Sequence, residues 1–161
     1  MNGNRVVPSF YWMLKQRAFF ALGFGTGLAP IMPGTVGSLP GLILAWGVSK
    51  FALEWQVALG IFLLFYGIRA CGQAATALGE HDHKAIVCDE IAGMYFVAIS
   101  VPYSLLNWTI AFLFFRLWDI MKPWPISWCD RNVKGGFGIM LDDVMAAVFA
   151  IPCVHFSLTF I

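Results

Sequence analysis

Residues 58–68 read ALGIFLLFYGI, a run with no charge and no proline inside an apolar tract from about 55 to 75. The run is continuously apolar, not alternating, so it reads as a membrane helix and not as a barrel strand. Four further tracts have the same character: residues 36–53, 86–101, 105–121 (containing WTIAFLFFRLW) and 139 to the C-terminus. The third carries Asp89 and Glu90 in its first turn, and the fifth carries Asp142 and Asp143 near its start. The expected fold class is all-α: a polytopic membrane helical bundle of about four to five transmembrane or partly embedded helices. A glycine-rich cytoplasmic loop precedes the first of them.

The composition agrees. Of 161 residues, 60% are apolar and only 12% charged, with a mean hydropathy of +0.76. Ordinary soluble domains are about 45–50% apolar and about 25% charged. A soluble domain of this size buries only about 68–70% of its chain's surface, too little to hide so much apolar area. Disorder, a nucleic-acid module and a routine cytosolic enzyme are excluded. The chain reads as one domain, with residues 1–35 an N-terminal cytoplasmic segment and Gly/Pro-rich loop and residues 36–161 the helical bundle. Cys71, Cys88, Cys129 and Cys153 have no paired spacing and read as free, mostly buried thiols. No cleavable signal peptide is expected, because the run from Phe19 is broken by glycines and prolines. A dimer is compatible with this size, and nothing in the sequence demands one.

Five spans would put Arg5, Lys15, Arg17, Arg69, Lys84, Arg116, Lys122, Arg131 and Lys134 at one face, nine of the ten basic residues, with Lys50 opposite. The positive-inside rule makes that face cytoplasmic. Eight of the nine acids lie there too, leaving Glu54 opposite.

The chemistry is concentrated at that face in four clusters. In residues 23–38, GFGTGLAPIMPGTVGS, glycine and proline prevent a regular helix and open backbone N–H groups. Thr35 and Ser38 supply hydroxyls near a helix N-terminus, a place suited to an anion. The plain alternative is an interfacial loop whose glycines only permit tight turns. In residues 80–90, EHDHKAIVCDE, two adjacent acids enter an apolar helix. Carboxylates there are costly, and a divalent cation is their natural partner, since hard cations take oxygen ligands. N-capping explains one such acid but not the His81-Asp82-His83 run. In residues 116–131, RLWDIMKPWPISWCDR, Arg116, Asp119 and Lys122 share one face if the helix continues through Lys122. An arginine and a lysine flanking an acid suit a phosphate ester beside a metal. The tryptophans Trp118, Trp124 and Trp128 read as an interfacial belt. In residues 134–143, KGGFGIMLDD, a glycine turn again leads to paired acids.

Taken in order, GFGTGLAPIMPGTVGS, HDHKAIVCDEIAGM, RLWDIMKPWPISWCDRNVKGG and GIMLDD resemble the successive signature blocks of the phosphatidylglycerophosphatase A family, over about residues 18–148. The resemblance implies a bacterial inner-membrane phosphatase that depends on Mg²⁺. It would convert phosphatidylglycerophosphate, a phospholipid substrate, to phosphatidylglycerol and phosphate. The residues accord with this and argue against other phosphatase chemistries. No Cys is followed six positions later by Arg, and there is no DxDxT motif and no Asp-Gly dipeptide. Metal-assisted attack by water is the expected mechanism, with an Asp nucleophile as the runner-up.

The expected roles are these. Asp89, Glu90, Asp142 and Asp143 build the Mg²⁺ site, directly or through water. Asp119 completes it or orients the attacking water. Arg116, Lys122, Arg131 and Lys134 are candidates to neutralise phosphate, with Thr35 and Ser38 as hydroxyl donors. His81, Asp82 or His83 would deliver a proton to the leaving oxygen. The rival class is a small carboxylate-lined ion or proton transporter. A transporter needs acids near the midplane with access from both sides, whereas these acids gather at one end.

Overall fold

The computed structural model describes residues 7–15 and 18–160. Arg5 and Arg17, counted above among the cytoplasmic charges, lie outside the described residues. The described residues form helices joined by turns and loops, with no strand among them. The helices are α1 (Phe10–Lys15), α2 (Pro33–Gly37), α3 (Leu39–Val48), α4 (Leu53–Leu78), α5 (Cys88–Ile99), α6 (Leu105–Met121), α7 (Ile126–Asn132) and α8 (Gly135–Leu158). A 3₁₀ turn covers Gly23–Leu28.

The helix ends follow local chemistry. Pro33 opens α2, where its missing N–H costs nothing. Ser38 joins α2 to α3 with near-helical dihedrals (φ −70°, ψ −24°), so the two form one almost continuous arm. Ser104 caps α6, its hydroxyl accepting from the Asn107 N–H at 3.0 Å. Pro123 follows the end of α6, and Lys122 sits there in the left-handed region at φ 38°. The reading that carried one helical face through Lys122 is therefore corrected, since α6 stops at Met121. The start of α8 also moves, to Gly135, because Gly136 continues the helix instead of breaking it. A Cβ at Gly136 would run into the Ile68 carbonyl of α4, so glycine there lets α4 and α8 pack backbone to backbone.

Helix α5 is the hub. It packs against α3, α4, α6 and α8, and nine of its twelve residues are buried. The arm of α2 and α3, then α4, α5, α6 and α8, run alternately up and down. Their connections near 79–87 and 122–134 meet at one end. At the other end Ser49, Gln56 and Ser100–Tyr103 come together. The Tyr95 hydroxyl ties α5 to α4 there by donating to the Gln56 carbonyl at 2.7 Å.

Helix α4 has the opposite character. It exposes Trp55, Ile61, Phe62 and Phe65 along one flank, an apolar surface unlike that of a soluble protein. Helices α4 and α8, of 26 and 24 residues, are long and apolar enough to cross a membrane. At 1.5 Å per residue they extend about 39 and about 36 Å, against about 30 Å of hydrocarbon. The other helices are shorter than that thickness.

Two further expectations change. Cys71 on α4 and Cys88 on α5 meet sulfur to sulfur, their Cα atoms 7.0 Å apart, so these two are not independent thiols. Cys129 and Cys153 are free, as expected. Trp118 is also not a belt residue. It packs on Phe149 of α8, ring centres 5.6 Å apart, while Trp124 and Trp128 are exposed.

Candidate active site

The end of the bundle where α2, α5 and α8 begin and α6 finishes holds a cleft of about 460 Å³. Four chain segments feed it. The α2 start contributes Pro33 to Thr35, and the 79–87 connection contributes Asp82 and Lys84. The first turn of α5 contributes Asp89 and Glu90, and the last turns of α6 contribute Arg116 and Asp119. Lys122 enters from just beyond α6, and Asp142 and Asp143 from α8. Residues 33 to 143 thus converge because alternating helices return their polar ends to one place.

The acids are not helix caps. The N-cap of α5 is Val87, with no side-chain cap hydrogen bond. In α8 the pair lies two turns inside, and no acid occupies the first turn. Asp89, Asp119, Asp142 and Asp143 are all buried. Burying carboxylates is unfavourable unless each finds a partner.

Some partners are within the chain. Arg116 donates to Asp119 one turn along α6, and its Nη1 lies 4.0 Å from Glu90 Oε1 across on α5. Lys122 Nζ donates to Asp130 Oδ1 at 2.8 Å and also to Asp142 Oδ2. Burial works against charge on Lys122, but the Asp142 and Asp130 carboxylates outweigh it and hold its pKa above the ordinary lysine value. Lys122 is therefore cationic at physiological pH. Gly34 completes the packing, since a Cβ there would meet the Glu90 carboxylate and the Arg116 guanidinium. Its lack of a side chain is what admits the α2 backbone to the cleft.

Three other carboxylate oxygens have no partner. Asp89 Oδ1, Glu90 Oε2 and Asp143 Oδ2 are buried with no hydrogen bond. One oxygen from each of these three residues falls within 4.8 Å of the others. An all-oxygen, anionic set of this kind fits a hard divalent cation. Six carboxylates and three cationic side chains line the cleft, a formal excess of three negative charges. A phosphate would be repelled by that excess without a compensating cation.

The structure gathers most of the residues singled out in the sequence and leaves some aside. Thr35, Asp82, Asp89, Glu90, Arg116, Asp119, Lys122, Asp142 and Asp143 all border the cleft. Asp142 differs from the other three proposed ligands, because Lys122 already pairs with it and its Oδ1 accepts from the Asp143 N–H at 3.1 Å. Ser38 is fully buried and donates to the Gly34 carbonyl at 2.9 Å, bracing the loop from behind. Arg131 and Lys134 are exposed, on α7 and just before α8, and do not border the cleft. His81 Nε2 accepts from the Gly135 N–H at 2.8 Å and His83 Nδ1 from the Ala85 N–H at 3.1 Å. Both histidines thus hold backbone, and Asp82 is the member of that run that faces the cleft. Lys84 and Asp130 have places in the arrangement that sequence reasoning did not assign. Lys84 sits among the cluster's acids, which was a usable signal. Asp130 gave none, because its pairing with Lys122 depends on the turn between α6 and α7.

The fold and cleft define an all-helical protein with apolar, membrane-length helices and an acidic, cation-suited pocket at one end. Residues 19–158 match the model of the family described as Phosphatidylglycerophosphatase A, and the chain belongs to that family. It is 45% identical over 142 residues to Phosphatidylglycerophosphatase A of Escherichia coli K12, covering 84% of this chain and 80% of the relative. It is 42% identical over 149 residues to the protein of that name from Haemophilus influenzae, covering 88% of each. A relative from Bacteroides thetaiotaomicron, provisionally named a phosphatidylinositol-3-phosphatase, is 37% identical over 152 residues, covering 89% of this chain and 91% of that one. No solved structure matches.

Proposed function

We propose that the cleft hydrolyses the terminal phosphomonoester of phosphatidylglycerophosphate, releasing phosphatidylglycerol and phosphate. The observation that carries this is the trio of buried, unpartnered carboxylate oxygens on Asp89, Glu90 and Asp143, set beside Arg116 and Lys122 in one cleft. Family membership supplies the substrate. The Bacteroides relative's name points to the same bond type, a phosphomonoester on a lipid headgroup.

The donor set fits Mg²⁺, the cofactor we infer: Asp89, Glu90 and Asp143 would hold it, with Asp142 beside them. When bound, the ion neutralises phosphate oxygens and polarises the nucleophile. The protein's own groups do the rest. Arg116, Lys122 and Lys84 face the phosphate, with the Thr35 hydroxyl as a further donor. Asp119, fixed by Arg116, orients the attacking water and takes its proton. As water adds to phosphorus and the bond to the glycerol oxygen breaks, Asp82 hands that oxygen a proton. Arg131 and Lys134, outside the cleft, attract the anionic headgroup to this end of the bundle.

We further infer that the chain is a multi-pass protein of the bacterial inner membrane with the cleft at its cytoplasmic face. Exposed apolar residues on α3 (Ile43, Trp46) and α6 (Leu113, Leu117) support embedding of those shorter helices alongside α4 and α8. The basic side chains Lys84, Arg116, Lys122, Arg131 and Lys134 support the orientation. The transporter reading is not supported, because the acids that motivated it share one cleft at one end. The test is phosphate release from phosphatidylglycerophosphate by purified protein in detergent, with Mg²⁺ and with EDTA. Release with Mg²⁺ and none with EDTA is expected. Activity that survives chelation removes the metal assignment, and no release in either condition removes the function.

A further inference from the structure

A second concavity lies on the continuation of two walls of the candidate active site. It is an open apolar groove of about 430 Å³ between α3 and α6, bounded by Leu39, Leu42 and Ile43 on one side and by Thr109 and Phe112 on the other. Its far end is closed by Tyr103 and Trp108, packed edge to face with ring centres 4.9 Å apart. The α3 wall continues upward through Ser38 into Pro33–Thr35 of the cleft, and the α6 wall continues into Arg116 and Asp119. Leu39 lies four positions from Thr35, and Phe112 lies four positions from Arg116. At 1.5 Å per residue, the groove therefore begins about 6 Å below the cleft on both walls.

We propose that this groove seats one acyl chain of the lipid substrate while the terminal phosphate occupies the cleft. This rests on the phosphatase reading. Several observations favour a substrate chain over any other occupant. The groove is almost wholly apolar, and its size is that of a ligand pocket. It opens sideways between two helices with exposed apolar faces, toward the hydrocarbon in which an acyl chain already lies. In this lipid the headgroup glycerol, the inner phosphodiester and the backbone glycerol would bridge the stretch between cleft and groove. An acyl chain held there fixes the depth and direction of the phosphate, turning part of the reaction's orientation requirement into binding energy remote from the reacting bond. Thr109 does not make the groove polar, since its hydroxyl donates back to the Leu105 carbonyl at 2.7 Å.

The test fills the groove from both walls with Ile43→Phe/Thr109→Phe, and adds Ile61→Phe on the exposed flank of α4 as a bulk control. Each protein is assayed in detergent on phosphatidylglycerophosphate with long acyl chains and with four-carbon chains. The ratio of long-chain to short-chain kcat/KM is expected to fall about tenfold in the double variant, chiefly through KM, and to stay unchanged in Ile61→Phe. An unchanged ratio, or an equal loss on both substrates, overturns the groove and leaves the phosphatase reading intact, with bulk lipid as its occupant. A wild-type protein that hydrolyses neither substrate overturns the phosphatase reading, and a binding measurement then judges the groove. Phosphatidylglycerol brominated on its acyl chains is expected to quench tryptophan fluorescence saturably in wild type, through Trp46 and Trp108. That quenching is expected to be lost in the filled variant, and quenching of equal amplitude in both proteins overturns the groove.

Discussion

Lys122 forms an ion pair with Asp142, although Lys122 lies beyond the end of α6 and Asp142 is two turns inside α8. The lysine holds a left-handed backbone at φ 38° to make it, a conformation that costs energy for a side chain with a Cβ. Lys122→Gln removes the cation and strands Asp142 in a buried position. The expected outcome is a loss of about 2 kcal/mol in stability, the scale of a hydrogen bond to a charged group. Thermal unfolding in detergent reads the stability, and phosphate release should fall in parallel.

Asp89→Asn, Glu90→Gln and Asp143→Asn each alter one member of the trio that carries a buried, unpartnered oxygen. Each is expected to lower kcat by on the order of 100-fold, the scale of losing one preorganised electrostatic contact. Wild-type protein should gain thermal stability as Mg²⁺ is added, because a ligand that binds only the folded state stabilises it. The three variants should lose that gain. Without the metal they should be at least as stable as wild type, since each relieves repulsion among buried acids. The same gain in all three variants as in wild type would show that the trio does not hold the ion.

Loop residues separate differently. Asp82→Asn is expected to reduce activity by about 100-fold, the lower range of general acid catalysis. His81→Ala and His83→Ala should cost less than about tenfold, because both rings bind backbone away from the cleft. A steady-state assay of the three variants decides which side chain supplies the proton.

Acid quenching during turnover is expected to trap no phosphoprotein. Water as the nucleophile leaves no covalent intermediate, whereas an aspartyl nucleophile would leave one. A radiolabelled substrate phosphate followed on a denaturing gel distinguishes the two.

Two glycines should respond in opposite directions. Gly136→Ala forces α4 and α8 apart at the Ile68 carbonyl and is expected to cost about 3 kcal/mol. Gly47→Ala on α3 meets nothing within 4 Å and should stabilise the helix by about 0.5 kcal/mol. Unfolding midpoints of the two variants in the same detergent check both.

The legible parts of this molecule are those where the solvent sets the rule. Charge is so costly in an apolar chain that Asp89, Glu90, Asp119, Asp142 and Asp143 stand out in the sequence itself, and all five line one cleft. Helices α4 and α6 fall where long, mostly apolar runs put them. What stays hidden depends on partners distant in sequence. Gly135-Gly136 reads as a turn leading into a helix, and the close contact with α4 explains why glycine continues inside α8 instead. His81 and His83 look chemical, yet their partners are backbone groups, one of them 54 residues away. The meeting of Cys71 with Cys88 likewise needs the crossing of α4 and α5, which spacing alone does not reveal.

The charge count of the cleft has a kinetic consequence. Six acids against three cations disfavour a phosphate and favour a divalent ion, so the two ligands are expected to bind interdependently. The expected order is cation first and lipid second. At low Mg²⁺ the apparent KM for lipid should climb while the limiting rate holds, the pattern of an ordered sequence in which the metal is the obligatory leading reactant.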